Sequence, residues 1–294
     1  MEYWDRIDHH IGSEHLSAFW AAYPLVRERI NERVSGDPHC WPIDWLGGRL
    51  QPRLPFGNSL SVGCGTGALE RDLVAKGITG RILGIDVADG PLEHARAEAK
   101  ASGLNDAIDY SKADAWEFLS RRSGFDSIFF HGSLHHFERP EELLGLTRRA
   151  LCTDGVLYFD EYVGPSMKDW SWRKLLQANL AYRFLPDKLK RSPRIDAPIN
   201  FEDPTESICS SEILDGAARH FEIIERRDYG GHLLLLIFPH LVRPEESPNA
   251  PSREEFARAI STLLDWEDRL SRYSVLSRSR SFHSVVLARP KTGC

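Results

Sequence analysis

The stretch LSVGCGTG, residues 60–67, decides the fold, because an apolar run ends there in three glycines at alternate positions. Glycine adopts positive φ readily and lets a ligand lie almost against the backbone. A helix is predicted to begin near Ala68, so the stretch forms a strand, a loop and a helix. In a doubly wound sheet, a loop of this kind receives a nucleoside cofactor.

A second apolar run, RILGI at residues 81–85, ends in Asp86. The second strand of a βαβ unit places a carboxylate at this point, where it binds the hydroxyls of a ribose. The relaxed dinucleotide fingerprint Gly63-x-Gly65-x-x-Ala68 is also present. The glycines alone therefore leave open whether the cofactor is NAD(P) or another nucleoside.

Strand and helix patterns alternate between residues 58 and 163. Strands are predicted at 59–62, 81–86, 108–113, 127–131 and 156–162, with helices at 68–76, 91–102, 115–121 and 139–151. This alternation, with its short loops, predicts an α/β protein with a parallel, doubly wound sheet. The ligand site is expected beyond the carboxyl ends of the strands.

The flanking regions follow other patterns. A helix is predicted over 14–34 and an irregular connection over 37–57. After Gly164-Pro165, a helical insertion with a loop over 165–205 is a candidate lid. The remaining predicted elements are a helix at 211–219, a strand at 221–228, a helix at 253–272 and a strand at 282–288.

Composition narrows the class of protein. The 294 residues carry a net charge of −6, from 37 basic and 43 acidic residues, which argues against nucleic acid as a partner. The five cysteines show no CxxC spacing, so reduced thiols in a cytoplasmic protein are expected. The longest apolar run, at 233–238, is too short to span a membrane, and the charged N-terminus shows no signal peptide.

Polar residues follow three further strands of the predicted sheet. Strand three ends in Asp114 and Ala115, an acid that can accept the exocyclic amine of adenine, followed by a small residue. Strand four ends in HGSLHHF, residues 131–137, and strand five ends in DEYVGP, residues 160–165. These segments converge on the same edge of the sheet as the glycine loop.

At this point the chain resembles the class I S-adenosylmethionine-dependent methyltransferases. The resemblance covers 58–163 and rests on five motifs in order: VGCGTG, GID, ADA, FDSIFFHGSLHHF and LCTDGVLYFDEYVG. It looks like a bacterial small-molecule subgroup associated with glycan or secondary-metabolite modification. It implies a seven-stranded mixed sheet whose last two strands are antiparallel, with a helical lid insertion.

The resemblance also implies a division of the chain and a set of cofactor contacts. Residues 1–57 would form a helical cap, 58–164 the S-adenosylmethionine-binding core, 165–210 the lid insertion, and 211–294 the rest of the sheet with inserted helices. The implied cofactor contacts are Gly63, Gly65 and Gly67 near the backbone, Asp86 on the ribose, Asp114 and Ala115 at the adenine, and His131 beside the methionine portion. Asp114 also fits the cap of the following helix.

One position departs from the family pattern. The family has an acid two residues before the first glycine, where this chain has Ser61. Glu70 or a water molecule is expected to replace part of its contact with the methionine amino group. Cys64 is expected to be a packing residue and not a nucleophile.

Methyl transfer to a hydroxyl requires a base, and histidine suits that role near neutral pH. His135 is the first choice for this base because, in related enzymes, a histidine at this position faces the acceptor. His136 is the second choice, and its expected role is to fix the loop through a hydrogen bond. Glu161 and Tyr162 are expected to orient the acceptor or act as alternative bases. Tyr3, Trp4 and Trp20 are lid candidates, with a core position favoured for Trp20.

No metal is expected, because adjacent histidines such as His135 and His136 point in different directions on regular structure. The predicted reaction is transfer of a methyl group to a small-molecule acceptor, at oxygen, with an apolar or a sugar-like acceptor both open. Three alternatives remain: a reaction of the same cofactor without methyl transfer, an NAD(P)-dependent enzyme, and a non-catalytic partner subunit. Neither a nucleic acid nor a membrane span is expected.

Overall fold

Seven strands form one sheet in the computed structural model, which describes residues 19–198, 203–244, 246–273 and 281–291. The strands are β1 (Ser59–Val62), β2 (Ile82–Asp86), β3 (Ile108–Lys112), β4 (Phe125–His131), β5 (Leu151–Tyr162), β6 (Phe221–Gly230) and β7 (His283–Pro290). Their order across the sheet is β3-β2-β1-β4-β5-β7-β6. β1 to β5 are parallel, and β7 is antiparallel to both of its neighbours, β5 and β6. The doubly wound, seven-stranded mixed sheet is therefore confirmed.

Helices cover both faces of this sheet. Those of the described residues are α1 (Pro24–Ser35), α2 (Pro42–Leu50), α3 (Ala68–Ala75), α4 (Asp89–Ala101), α5 (Ala115–Arg121), α6 (Pro140–Ala150), α7 (Trp172–Arg183), α8 (Ile213–His220), α9 (Leu234–Ile237) and α10 (Arg253–Tyr273). Short 3-10 turns occur at Trp20–Ala22, Leu134–His136, Met167–Asp169, Asp187–Leu189, Ser210–Glu212 and Phe238–His240. Over the described ranges, no helix is both long and apolar enough to cross a membrane.

The apolar core lies on the two faces of the sheet. Adjacent residues of β4 serve opposite faces: Phe129 packs with residues of α1, α2 and α10, whereas Phe130 packs with residues of α5, α6 and α8. Both phenylalanines are fully buried. A central parallel strand is covered on both sides, which explains the uninterrupted apolar run IFF at residues 128–130 of β4.

The strand order reverses at β1, which lies between β2 and β4. The connections from β1 and β4 leave in opposite directions, so a crevice opens between their carboxyl ends. At this crevice, the backbone N–H groups of Gly63 and Cys64 both donate to the carbonyl of Ile85, at 2.8 and 3.1 Å. The glycine loop is thereby tied to β2.

The continuous helix predicted over 14–34 is wrong in its described part. The 3-10 turn Trp20–Ala22 comes first, Tyr23 is extended, and α1 begins at Pro24. Proline disfavours helical backbone in the residue before it, and it is well accepted at the first position of a helix. The predicted stop is confirmed at Gly36, whose φ is 88°. Residues 14–18, and the lid candidates Tyr3 and Trp4, lie outside the described residues.

The irregular connection predicted over 37–57 is also wrong in part, because α2 occupies its centre. The helix begins at Pro42 and tolerates Gly47 and Gly48, because it buries Ile43, Trp45, Leu46 and Leu50. Tertiary packing here outweighs the weak helix propensity of the glycines. The predicted insertion after β5 does contain a helix, α7, and the elements that follow it complete the sheet.

Candidate active site

The three glycines of the loop have positive φ values for different reasons. A Cβ atom on Gly63 would lie 2.6 Å from the Cβ of Ser133, and one on Gly67 would strike Tyr110 and lie 2.9 Å from the Cβ of Ala95. Around a Cβ on Gly65 there is nothing within 4 Å, although φ is 52°. Gly63 and Gly67 thus allow the loop to pack, whereas Gly65 faces open space where a ligand fits.

Asp86 holds this loop and still has acceptor capacity. Its Oδ2 accepts the N–H of Gly65 at 2.9 Å, and its Oδ1 accepts the N–H of Ala88 at 3.0 Å. A carboxylate offers about four lone-pair sites, so about two remain for other donors. The side chain is half-buried at the end of β2, which suits an acceptor for two ribose hydroxyls.

Asp114 caps the helix α5, which is one of the two roles predicted for it; the other is recognition of the adenine. Its Oδ1 accepts the N–H of Glu117 at 2.9 Å, and the side chain is exposed. Ala115 is buried at the first position of the helix. Both residues lie just after β3, at the carboxyl edge of the sheet, so the cap leaves Asp114 accessible to a ligand.

Glu70 lies beneath the glycine loop and is fully buried. Burial raises the pKa of this carboxyl, and the neighbouring Ser61 hydroxyl partly opposes that shift. The small side chain of Ser61 leaves room for a carboxylate supplied by α3. Burial likewise raises the pKa of the Cys64 thiol far above its ordinary value, which is consistent with a packing residue.

A cavity of about 660 Å³ lies beside the loop, over the ends of β4 and β5. Four of the predicted site residues line it: His131, His135, Glu161 and Tyr162. The other predicted residues lie outside its lining, namely Gly63, Gly65, Gly67, Asp86, Asp114, Ala115 and His136. The walls are mainly apolar. Trp20 forms part of them and is buried in the core, the position that the sequence analysis favoured for it. The predicted residues therefore form two groups, one along the ends of β1 to β3 and one around the cavity.

His135 and Glu161 form a buried pair at the cavity. The Nδ1 atom of His135 lies 2.8 Å from Oε2 of Glu161. The other oxygen, Oε1, accepts the N–H groups of Ser133 and Leu134, both at 2.8 Å. An ionised carboxylate only accepts hydrogen bonds, so Nδ1 of His135 carries a proton, and in the neutral imidazole the lone pair is on Nε2.

The electrostatics of this pair favour a charged histidine. Burial lowers the pKa of His135, but the hydrogen bond and charge of Glu161 outweigh it, and the net shift is upward. For Glu161, burial raises the pKa, but His135 and the two N–H donors together lower it by more, so the net shift is downward. The pair is thus a stronger base at Nε2 than an ordinary imidazole.

His136 contacts the segment that follows β5. Its Nδ1 lies 3.2 Å from the Thr205 hydroxyl oxygen, and its ring centroid is 4.1 Å from that of His135. The expectation that adjacent histidines diverge is wrong here. Both sit on the single 3-10 turn Leu134–His136, where Glu161 and Thr205 draw the two rings together.

Tyr162 forms part of the cavity wall. Its hydroxyl donates to the carbonyl of Pro165 at 2.9 Å, and its ring stands edge-on to that of His135, with centroids 6.3 Å apart. Burial raises the pKa of Tyr162 well above its ordinary value. The hydroxyl therefore acts as a hydrogen-bond donor to the backbone and is unsuited to accept a proton.

The polar residues of the cavity wall that sequence reasoning missed include Arg27, Asp160, Glu206 and Tyr229. Asp160 accepts the hydroxyl of Tyr229 at 2.7 Å, and burial raises the pKa of its carboxyl, against the effect of nearby His131. The adjacent acids at the end of β5 were a signal for Asp160. Glu206 had no such signal, because only the path of the insertion brings it to within 3.7 Å of His135 Nε2.

The seven-stranded mixed sheet, with its antiparallel seventh strand, is that of the class I S-adenosylmethionine-dependent methyltransferases. The profile of the family described as "Methyltransferase domain" matches residues 60–159, and this part of the chain belongs to that family. S-adenosylmethionine is the cofactor of the family.

Two curated relatives are similar to part of this chain. The ubiquinone biosynthesis O-methyltransferase of Histophilus somni is 33% identical over 132 residues, which is 43% of this chain and 53% of the relative. The protein of the same name from Pasteurella multocida is 29% identical over 137 residues, covering 43% and 54%. The chain thus spans about half the length of these relatives.

A solved structure agrees in fold over most of the chain. The crystal structure of the 4+2 cyclase SpnF has a TM-score of 0.50 and 18% sequence identity, and the match covers 92% of this chain and 95% of that one. At this identity the similarity concerns the fold alone.

Proposed function

We propose that this protein transfers a methyl group from S-adenosylmethionine to a hydroxyl oxygen of a small molecule bound in the cavity. The observation that carries the proposal is the buried pair of His135 and Glu161, with Nε2 of the histidine facing a cavity that adjoins the glycine loop. The printed names of the curated relatives, which are O-methyltransferases, support oxygen as the acceptor atom.

The cofactor supplies a methyl group on a sulfonium, and it leaves as a neutral thioether. Gly65 provides the open backbone, and the remaining lone pairs of Asp86 bind the ribose hydroxyls. Asp114 and Ala115 lie where the adenine would be recognised, and the exposed His131 lies between the loop and the cavity, beside the methionine portion. These residues would hold the cofactor beside the cavity in which the acceptor is proposed to bind.

His135 receives the proton of the acceptor hydroxyl at Nε2. Glu161 keeps the imidazole in the required tautomer and stabilises the positive charge that forms. Glu161 is buried, and three of its about four lone-pair sites already accept from Ser133, Leu134 and His135, so its role in this proposal is to position His135. Holding the acceptor oxygen in line with the methyl carbon and sulfur contributes up to about 7–11 kcal/mol.

The walls of the cavity favour an acceptor with an apolar body. Trp20, Tyr162, Met167 and Trp170 contribute large apolar surfaces, whereas Glu161 and Glu206 lie close to His135. Aromatic and apolar walls with a few convergent polar groups are typical of small-molecule sites. Of the two acceptor types considered, an apolar molecule with one hydroxyl fits better than a sugar.

The setting of the reaction is also part of the proposal. Cys40, Cys64, Cys152 and Cys209 are free thiols, which supports a reducing compartment, the cytoplasm. A small-molecule acceptor without nucleic acid remains the expected partner. Residues 165–210 are proposed to act as the lid, since Met167, Trp170 and Glu206 line the cavity.

The test is an acceptor screen with the wild type, His135→Asn and a matched control, His39→Asn, in which an exposed histidine far along the chain is replaced. Release of S-adenosylhomocysteine and the methylated product are both measured. Loss of the base is expected to lower kcat about 100-fold or more, with binding of S-adenosylhomocysteine unchanged. Unchanged turnover in His135→Asn would remove this residue from the mechanism. Conversion of an acceptor without S-adenosylhomocysteine would instead support the non-methylating alternative.

A further inference from the structure

Three side chains with metal-ligand chemistry meet beside the cavity, and two of them, His135 and Glu206, line it. His135, His136 and Glu206 each offer one ligand atom, and these atoms all lie within 4.8 Å of one another. The distance from His135 Nε2 to Glu206 Oε1 is 3.7 Å. Two atoms bound tetrahedrally to one ion at about 2.1 Å lie about 3.4 Å apart, so His135 and Glu206 are already close to the required separation.

The hydrogen bonds behind the two histidines set the tautomers that metal binding requires. The Nδ1–H of His135 donates to Glu161, which leaves the lone pair on Nε2. Thr205 donates its hydroxyl proton to Asp203 at 2.6 Å, so its oxygen accepts from Nδ1 of His136 at 3.2 Å. In both rings the proton is on Nδ1, held by an oxygen acceptor. This is the arrangement found behind metal-binding histidines.

The segment that carries the carboxylate has an unusual backbone. Ser207, directly after Glu206, has a φ of 54°, a left-handed conformation that is uncommon for a residue other than glycine. Strained backbone of this kind is often retained at ligand sites. Here it turns the chain so that both Glu206 and Ser207 face the cavity.

We propose that His135, His136 and Glu206 bind a divalent transition-metal ion at the edge of the acceptor cavity that His135 and Glu206 line. Two imidazoles and one carboxylate suit zinc, iron(II), manganese or cobalt, whereas magnesium and calcium prefer sites made of oxygen alone. Three protein ligands leave coordination positions for water or an acceptor oxygen.

The role of this ion rests on the proposed function. In the loaded protein Nε2 of His135 is a metal ligand, and the charge of the ion lowers the pKa of the acceptor hydroxyl. The hydroxyl proton passes to solvent, the oxygen forms its bond to the methyl carbon, and the sulfur keeps the electron pair of the broken bond. His135 itself is the base only in the metal-free protein.

The test uses Co²⁺ as the probe, titrated into the metal-free full chain and followed by its visible absorption. The variants are His136→Asn and Glu206→Gln, with His39→Asn as the control that removes an imidazole elsewhere. The chain also contains His9, His10 and His15, so the site is defined by the difference between wild type and variants. We expect one equivalent with an absorption typical of histidine ligands, and affinity at least about tenfold weaker in both variants but not in the control.

Equal Co²⁺ binding by wild type and both variants would overturn the proposed site. Turnover with and without a chelator separates this result from the fate of the proposed function. If the loaded protein binds Co²⁺ at the site but methyl transfer is equally fast after a chelator has removed the ion, the role of the ion in holding the acceptor is overturned. Absence of methyl transfer in both conditions, with Co²⁺ bound at the site, would contradict the proposed function but not the site.

Discussion

Two alanine substitutions in the glycine loop are predicted to act on different properties of the protein. In Gly65→Ala the added methyl enters open space, and in Gly67→Ala it strikes Tyr110 and approaches the Cβ of Ala95 to 2.9 Å. Both positions have positive φ, 52° and 74°, so the backbone strain is shared. The difference between the two variants therefore isolates the packing beneath the loop from the ligand space above it.

The magnitudes follow from these contacts. A residue other than glycine in the left-handed region costs about 1–2 kcal/mol, which applies to both variants. Overpacking adds about 1–3 kcal/mol in Gly67→Ala, because the methyl of Ala95 cannot rotate away. The free energy of unfolding should thus fall by about 1–2 kcal/mol in Gly65→Ala and by about 2–5 kcal/mol in Gly67→Ala.

Urea unfolding measures the stability, and calorimetry with S-adenosylhomocysteine measures the affinity. Gly65→Ala should weaken binding at least about tenfold, because its methyl occupies the space that the cofactor needs close to the backbone. The reasoning is refuted if Gly65→Ala binds as tightly as wild type, or if it loses as much stability as Gly67→Ala.

Three further predictions concern His135, His283 and Tyr162. Since the pKa of His135 is raised, the rate of methyl transfer in the metal-free enzyme should increase with pH through a midpoint above 6.5. Glu161→Gln should move that midpoint to lower pH and reduce the rate at the high-pH plateau about 10²- to 10⁴-fold. An unmoved midpoint would contradict the pairing of His135 with Glu161. Burial lowers the pKa of His283 from 6.5 to about 4. The contribution of the neutral His283 to the free energy of unfolding is therefore complete above pH 6.5 and falls by about 3 kcal/mol as the pH drops to 4. In His283→Leu, the urea midpoint should lose this part of its pH dependence. Tyr162→Phe removes the hydrogen bond to Pro165 and should lower the free energy of unfolding in urea by about 1 kcal/mol, while kcat stays within a few-fold of wild type. A loss of kcat as large as that in His135→Asn would give the hydroxyl a role in the reaction.

The core of the fold was predictable because its signals are local. The glycine loop, Asp86 and the capping residue Asp114 depend on residues close in sequence, and their strands were predicted to within a few residues. The helix α2 was missed because proline, glycine and tryptophan are as frequent in loops as in a helix stabilised by burial. The division of the chain into four parts remains a prediction.

The cavity was less predictable, because it depends on contacts between distant segments. His135 could be singled out from its place after β4, but its tautomer depends on Glu161, which the sheet brings beside it. Glu206 comes from the insertion, whose path no periodicity predicts. The close approach of His135 and His136 likewise follows from partners on two other segments, and not from their own turn alone.

The central claim is that the ends of β1 and β2 bind S-adenosylmethionine. Its most direct test is calorimetry of S-adenosylhomocysteine with wild type, Asp86→Asn and Asp109→Asn, with NADH as a second ligand. Asp109 is the matched control, because it is exposed and lies at the opposite end of its strand. The account predicts binding in the micromolar range for wild type and control, at least about tenfold weaker binding in Asp86→Asn, and none of NADH. Equal binding by Asp86→Asn, or binding of NADH in place of the sulfur ligand, would contradict it.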